Sequence, residues 1–344
     1  MREEKTITRT HENIVIPREA RAIQLQIRRS RYDDRDYEAA VSIENAIYPE
    51  HPQDAQSWRY WDSNREARYL YRRHIGEVNG KVVASADLGH TSWSYQPGKY
   101  LIFVAVDPRY QQRGIGAAFY DYLLDEVMLL QPTKLVSHAR EDHRHSFRFL
   151  KNRGFKSVMR IQTSALDVRS FDPAPFEAKV DRVLQSGIAI KTMAQLRTED
   201  PDWMRKVYEL EWECLQDVPT TDPLTRRGLE QFKRQTVGNP RLLDDAWFIA
   251  VDGDRYVGLS VLWRNAVNER LLETGLTGVL RSHRRRGIAT ALKVQAIKYA
   301  KDYGATEVNT DNEENNPMFQ LNLQLGFKPQ PAFHNFEKQL LPAV

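Results

Sequence analysis

The chain has 344 residues, 41% hydrophobic and 10% aromatic, enough apolar surface for packed cores, which excludes a disordered polypeptide. Its formal charge, 50 − 46 = +4, is too mild to require nucleic acid and suits a small polyanionic ligand. A single cysteine, Cys214, excludes an internal disulfide and a thiolate zinc site, and fits a reducing compartment. No apolar run approaches a membrane span. The first ten residues lack the apolar core of a signal peptide, so a soluble, cytoplasmic protein without membrane contact is expected. At this length two domains are the natural expectation.

Residues 1–21 read as a polar arm. Ile23, Leu25 and Ile27 alternate with polar residues, the pattern of a half-buried strand. Residues 36–47 predict a helix, followed by a loop with Pro49 and Pro52. Residues 69–88 predict a hairpin turning at Asn79-Gly80, a pair that supplies the positive φ angles of a type I′ turn. The run 100–106 is apolar on both faces and predicts a central strand. Then comes a loop with Gln111, Gln112, Arg113, Gly114, Ile115 and Gly116. The helix after it carries Phe119, Tyr122, Leu123, Val127 and Leu130 on one stripe and stops at Pro132. A strand at 134–139 and a helix at 145–153 follow, and Gly154-Phe155 opens a last strand pair ending near Leu166.

Residues 171–187, with two prolines, a charged helical segment and Gly187, read as a linker. The order then repeats. A strand is predicted at 188–190, a helix at 202–214, a hairpin over 247–262 turning at Asp252-Gly253, and a central strand at 271–280. The chain next passes through Arg284, Arg285, Arg286, Gly287, Ile288 and Ala289 into a helix with apolar residues at helical spacing, closed by Gly304. Gly80 and Gly253 differ by 173, as do Gly114 and Gly287, and the pairs Gly154-Phe155 and Gly326-Phe327 differ by 172. A shared offset marks a duplication. The expected division is an arm at 1–21, an N-terminal domain at 22–170, the linker at 171–187 and a C-terminal domain at 188–344.

A strand, a cationic glycine loop and a helix N-terminus in that order form an anion cradle. The free N–H groups of the first turn point at the loop and the helix dipole favours negative charge there. Gly287 is read as the place where the backbone approaches the ligand. The loop pattern Q/R-x-x-G-x-G/A occurs in this setting twice, each time with a Gly-Phe about 40 residues on. On these residues each half resembles the GNAT family of acyl-CoA-dependent N-acetyltransferases. The tandem arrangement is similar to that of mycothiol synthase-like proteins, though no residue specifies that substrate.

The resemblance implies an α/β fold in each of two tandem domains, a mixed, mostly antiparallel central sheet flanked by helices. It implies acetyl-CoA as acyl donor and direct transfer to a small-molecule amine. The loop residues Gln111, Gln112, Arg113, Gly114, Ile115 and Gly116, and Arg284, Arg285, Arg286, Gly287, Ile288 and Ala289, would hold the pyrophosphate. The pantetheine arm would pair with the strand ends at Val104 and Val106, or Thr277 and Val279. Glu273, on the second central strand, would be the general base that the ammonium form of an amine requires. Its alternative reading is a solvated strand-end carboxylate. Tyr100 stands at the same offset in the first half, where Glu44 and Glu50 are substitute bases.

The family's usual acid, a tyrosine four residues before the Gly-Phe, is replaced by Leu150 and by Asn322. Asn322 hydrogen-bonds but does not supply a proton at neutral pH. Asn315 matches the family's asparagine near the pantetheine, where the first half has His143. By these matches chemistry is expected in the C-terminal half. The alternative is a non-catalytic acyl-CoA-binding or scaffold protein with degenerate sites. His138, His143 and His145 lack a completing cysteine, so no metal is expected. The arginines from Arg281 to Arg286 lack interleaved aromatics, so no nucleic acid is expected. Cys214 reads as a core or pocket-wall residue. Trp58, Trp61, Trp203 and Trp212 lie in segments that wall the acceptor site in the family.

Overall fold

The computed structural model describes residues 11–16 and 22–340. Most of the expected arm, residues 1–10 and 17–21, lies outside the described residues. Contacts divide the chain into two compact units. One holds the described residues up to Ser137 together with those from Glu337 onward, and the other is His138–Phe336.

The first unit is built on strands β1 (His11–Ile16), β2 (Ile23–Arg29), β3 (Tyr71–Val78), β4 (Lys81–Gly89), β5 (Lys99–Val106) and the start of β6 (Lys134–Arg140), adjacent in that order. All pairs are antiparallel except the last. Helices α1 (Asp34–Ile47) and α2 (Ala55–Ser63) start at Asp33 and Asp54, whose carboxylates accept from the N–H groups of Asp36 and Ser57. Helix α3 (Ile115–Met128) buries Phe119, Leu123 and Val127. The β3–β4 hairpin turns at Asn79 and Gly80, both at positive φ (51° and 74°), as a type I′ turn demands.

The second unit contains α4 (Arg144–Asn152), β7 (Lys156–Asp167), α5 (Ala174–Gln185), β8 (Ile188–Thr192), α6 (Met193–Glu199), α7 (Trp203–Leu215) and α8 (Leu229–Phe232). It continues with β9 (Leu242–Asp252), β10 (Arg255–Arg264), β11 (Leu271–Val279), α9 (Ile288–Tyr303), β12 (Glu307–Glu313), α10 (Pro317–Gln324), β13 (Lys328–Pro329) and the first four residues of β14 (Phe333–Gln339). Its strands run β14-β7-β12-β11-β10-β9-β8, with β11–β12 parallel. The core gathers Trp247, Phe232, Val257, Leu259, Leu272, Leu292 and Val308. No helix among the described residues is long and apolar enough to cross a membrane.

Three local expectations change. Gly154-Phe155 opens one 12-residue strand, β7, rather than a strand pair. The stretch 171–187 is not bare connection: it carries α5, which buries Val180 and Val183 and packs on α9. In the second hairpin Asp252 pairs with Arg255, so the turn is Gly253-Asp254, one residue later than expected. Residues 138–170 belong to the second compact unit, where β7 pairs with β12 along seven residues, Ile161 to Asp167.

In the first unit, Glu126 on α3 binds Arg72 and Arg29 and lies 2.9 Å from His74. Burial pushes its carboxyl up, but His74 and Arg72 outweigh that and hold it at about 2. A carboxyl whose folded value is depressed stabilises the fold above the unfolded value, and that contribution is lost as pH falls toward about 2. Glu126→Gln should therefore cost about 3 kcal/mol at pH 7 and much less near pH 2. Urea unfolding at the two pH values checks this.

Candidate active site

In each half the central strand keeps its parallel neighbour for only three residues. β5 pairs with β6 from Lys99↔Lys134 to Leu101↔Val136, and β11 with β12 from Leu271↔Glu307 to Glu273↔Asn309. Beyond those points the opposite edge stays paired, by β4 to Val106 and by β10 to Val279. The free edge of residues 102–106, and of 274–279, is an open row of backbone groups to which an extended ligand can add as a strand.

The loops that follow are built alike. Gln111 Nε2 donates to the Val106 carbonyl at 3.0 Å, and Arg284 Nε donates to the Val279 carbonyl at 3.0 Å. Gln112 and Arg285 have φ of 57° and 63°, and Gly114 and Gly287 have φ of 84° and 85°. The first helical bonds run from Ala118 to Gly114 and from Ala291 to Gly287. That leaves the N–H groups of Ile115, Gly116 and Ala117, and of Ile288, Ala289 and Thr290, without a helical acceptor. These are the donors of an anion cradle. A Cβ on Gly116 would make ordinary contact with Val106 at 3.7 Å, which is why Ala289 serves in the other half.

The reading of Gly287 as room for a ligand changes. A Cβ there would meet Lys179 and Val183 of α5 at 3.4 Å, and one on Gly114 would meet Ile16 of β1 at 2.8 Å. Glycine is required at both by the left-handed backbone, and at Gly114 also by the closeness of Ile16. The arginines are not equivalent either. Asp217 takes Arg281 (2.9 Å) and Arg284, which hold its carboxyl below the usual range. Arg286 leans toward Asp252 at 3.7 Å and Ser186 at 3.5 Å. Arg285 is exposed and makes no ion pair among the described residues. Arg113 is exposed and lies 5.2 Å from the ring of Tyr110. Arg285 and Arg113 are the cations left for a phosphate. Val106 and Val279 have their carbonyls occupied by their own loops, which leaves Val104 and Thr277 nearer the middle of each open edge.

Glu273 is the last residue of the parallel ladder. Its Oε1 accepts from Asn265 at 2.6 Å and its Oε2 is ion-paired with Arg241. Asn265 is fixed in turn by accepting from the N–H groups of Val267 and Asn268. After Thr274 the β10–β11 ladder shifts. Ser260 faces Thr277 and Leu262 faces Thr274, so two residues of β11, Gly275 and Leu276, oppose Val261 alone. This is a β-bulge. The β4–β5 ladder has none: it runs unbroken from Gly89↔Leu101 to Ala84↔Val106. β11 is therefore one residue longer, and the first-half match to Glu273 depends on the end counted from. Back from the loop it is Tyr100, but by the parallel ladder it is Leu101. Tyr100 is buried and stacks on His90, with ring centroids 4.9 Å apart.

Asn322 is 1% exposed. Its Nδ2 donates to Asn312 at 2.6 Å, while its Oδ1, the Oγ1 of Thr274 and the Oδ1 of Asn309 are buried without a partner among the described residues. Leu150 is an ordinary core residue. Asn315 is exposed and donates to Glu313 at 2.8 Å. Cys214 packs against Gly278, where a Cβ would lie 2.6 Å away, and burial pushes its thiol up to about 12. Such a thiol is an inert wall. Asp217, Arg241, Asn265 and Thr274 escape sequence reasoning. The one available signal was that the second central strand is a residue longer than the first.

A model described as the Acetyltransferase (GNAT) family matches residues 37–155 and 204–327. No curated protein matches the chain in sequence. Similar solved structures include a tandem GNAT protein from the clavulanic acid biosynthesis pathway, 18% identical over 93% of this chain and 100% of that one, TM-score 0.71. Another is a GCN5-related N-acetyltransferase from Sphaerobacter thermophilus, 20% identical over 93% and 97%, TM-score 0.64. A third is the glucosamine N-acetyltransferase region of a fungal multi-domain β-N-acetylglucosaminidase, 14% identical over 92% and 39%, TM-score 0.68. At these identities the likeness to solved structures is one of fold.

Arg285→Ala should weaken coenzyme A binding about tenfold, the worth of one charge-assisted bond, without changing thermal stability. Arg284→Ala should instead lower the melting temperature, because Arg284 ties the loop to Val279 and Asp217. Calorimetric titration beside thermal unfolding separates the two.

Proposed function

Because the chain belongs to the acetyltransferase (GNAT) family and is an acyltransferase, we propose that it moves an acetyl group from acetyl-CoA to a primary amine of a small molecule, with chemistry in the C-terminal half. The observation that carries this reading is the bulge in β11 at Gly275-Leu276, two residues beyond Glu273. A bulge frees a backbone N–H from the ladder and re-aims it. A fixed N–H beside an acyl carbonyl stabilises the charge that develops on its oxygen.

The residues present fit the donor. The first turn of α9 and the unpaired Arg285 supply the anion-binding groups, and the open edge at 274–279 supplies strand-like pairing. Acetyl-CoA brings an activated acyl group as a thioester. Glu273 has one oxygen held by Asn265 and the other by Arg241, so its orientation is set. Each carboxylate oxygen retains a second lone pair with which to accept a proton from the incoming ammonium. The departing thiolate needs no strong acid, since a thiol titrates near 8.5. The buried Thr274 hydroxyl has no partner among the described residues and is available to hydrogen-bond a polar group.

Asn322, in place of a proton donor, favours the second reading, a protein that binds acyl-CoA without turnover. Glu273→Gln decides between them. It should lower kcat about 10²-fold with coenzyme A affinity unchanged, followed by release of free thiol from acetyl-CoA across an amine panel. Unchanged turnover removes Glu273 from the mechanism. No thiol release from the parent protein, with tight coenzyme binding, selects the second reading.

A further inference from the structure

Helix α9 buries a cation that the fold does not use. Lys293 stands between Ala289 and Ala296 on a stripe of small apolar residues. It is 3% exposed and makes no hydrogen bond or ion pair among the described residues. Its Nζ lies 5.1 Å from the centre of the Phe327 ring. An aromatic face offsets part of the cost of burying an amine, but it is not a counter-charge.

The strand registers fix where along the sheet that ring lies. Lys328 pairs with Ala165, Ala165 with Asn309, and Asn309 with Glu273. Phe327 therefore sits beside the last rung of the parallel ladder, where the open edge of β11 begins. Its N–H donates to the carbonyl of Asn322 at 3.0 Å, which ties α10 to the same level.

The face is fixed as well. A Cβ on Gly258 of β10 would meet Leu292 of α9 at 3.2 Å, and one on Gly278 of β11 would meet Cys214 of α7 at 2.6 Å. The two helices thus cover opposite faces of the sheet. Leu262, on the same face of β10 as Gly258, pairs with Thr274, and Trp263 pairs with Glu273. Thr274 therefore turns toward α9 and Glu273 toward α7. Leu272 pairs with Val308, and alternation along β12 puts Asn312, the partner of Asn322, on the α9 face too. Lys293, Thr274 and Asn322 thus share one face at the start of the open edge. The Thr274 hydroxyl and the Asn322 Oδ1 are likewise without a partner among the described residues.

We propose that Lys293 is the acid of the reaction: from the α9 face of the open edge its ammonium gives a proton to the sulfur of the departing coenzyme. The proposal rests on the acetyl-CoA reading of the C-terminal half and supplies the donor that Asn322 is not. The anion cradle lies at the far end of the edge, about 20 Å away, so a coenzyme anchored there brings its thioester to the near end. The amine loses one proton to Glu273 on the opposite face and attacks the acyl carbon. The carbon–sulfur bond breaks with its electron pair on sulfur, and sulfur takes the proton from Nζ. The extra proton on the new amide nitrogen leaves to water. Glu273 then returns its proton to water and Lys293 takes one back, so each turnover releases one proton. Burial alone pushes the Lys293 amine down to about 7, a donor matched to a thiol of about 8.5. No charged group contributes: Asn322, Thr274 and Phe327 do not titrate, and Glu273 is on the other face.

Lys293→Met keeps the length of the side chain and removes the charge. With acetyl-CoA and the amine that the parent turns over fastest, it should lower kcat about 10²-fold. Coenzyme A affinity by calorimetric titration should be unchanged, and the melting temperature should not fall, because an uncompensated buried amine is removed. The parent's kcat should fall as pH rises through about 7, since the amine must hold the proton it gives, and Lys293→Met should lack that fall. If Lys293→Met fails to fold, Lys293→Gln carries the same two measurements. Full activity in the Lys293 variant beside a slow Glu273→Gln, or a pH profile that the variant leaves unchanged, overturns this proposal and leaves the site standing. Full activity in both variants, or no turnover by the parent, overturns the proposal together with the reading beneath it.

Discussion

The parallel ladder that ends after three residue pairs is the constraint on which both halves depend. A central strand bound on both edges would have no place for a ligand. One unbound along its whole length would leave too many buried backbone groups unsatisfied. Here β5 and β11 are anchored on one edge throughout and on the other only at their starts. The loop must then leave at a fixed angle, and two devices secure it. A left-handed glycine turns the chain into the helix, and a side chain, Gln111 or Arg284, reaches back to the last strand carbonyl. The helix N-terminus is thereby aimed at the end of the open edge. A long ligand with an amide-rich arm and an anionic group spans the two features together.

Charge around the second loop is more balanced than its arginine run suggests. Asp217 closes α7 onto Arg281 and Arg284, and Asp252 attracts Arg286 and His283. A loop with four bare guanidinium groups would repel itself and bind anions without selection. With most of them committed, the remaining attraction is concentrated at Arg285 and the first turn of α9, where backbone N–H groups also dictate geometry.

Much of this was legible in the sequence, because local rules dictate it. Asn79-Gly80 requires its turn, the apolar run at 100–106 requires a buried strand, and the glycine loops announce left-handed backbone. The 173-residue offset between Gly114 and Gly287 survives as nearly identical φ angles. What stayed hidden depends on contacts between distant residues. Asp217 precedes Arg284 by 67 positions, and Arg241 precedes Glu273 by 32, and neither separation follows a helical or strand period. The helix at 174–185 reads as linker because its charged face dominates its composition, while only Phe176, Val180 and Val183 pack with the core.

The bulge explains why counting along the chain misled at the most informative position. Between Leu271 and Val279 the second strand has nine residues where the first, Lys99–Val106, has eight. Counting back from the glycine loop crosses that extra residue and lands on Tyr100, while counting forward from the parallel ladder lands on Leu101. Side chains alternate across a sheet with period two, so one inserted residue changes which face every residue before it presents relative to the loop. Glu273 in one half binds Asn265 and Arg241, while Tyr100, the residue at the matching count in the other half, packs into an aromatic nest with His90. An inserted residue, rather than any substitution in the loop, is the structural difference between them.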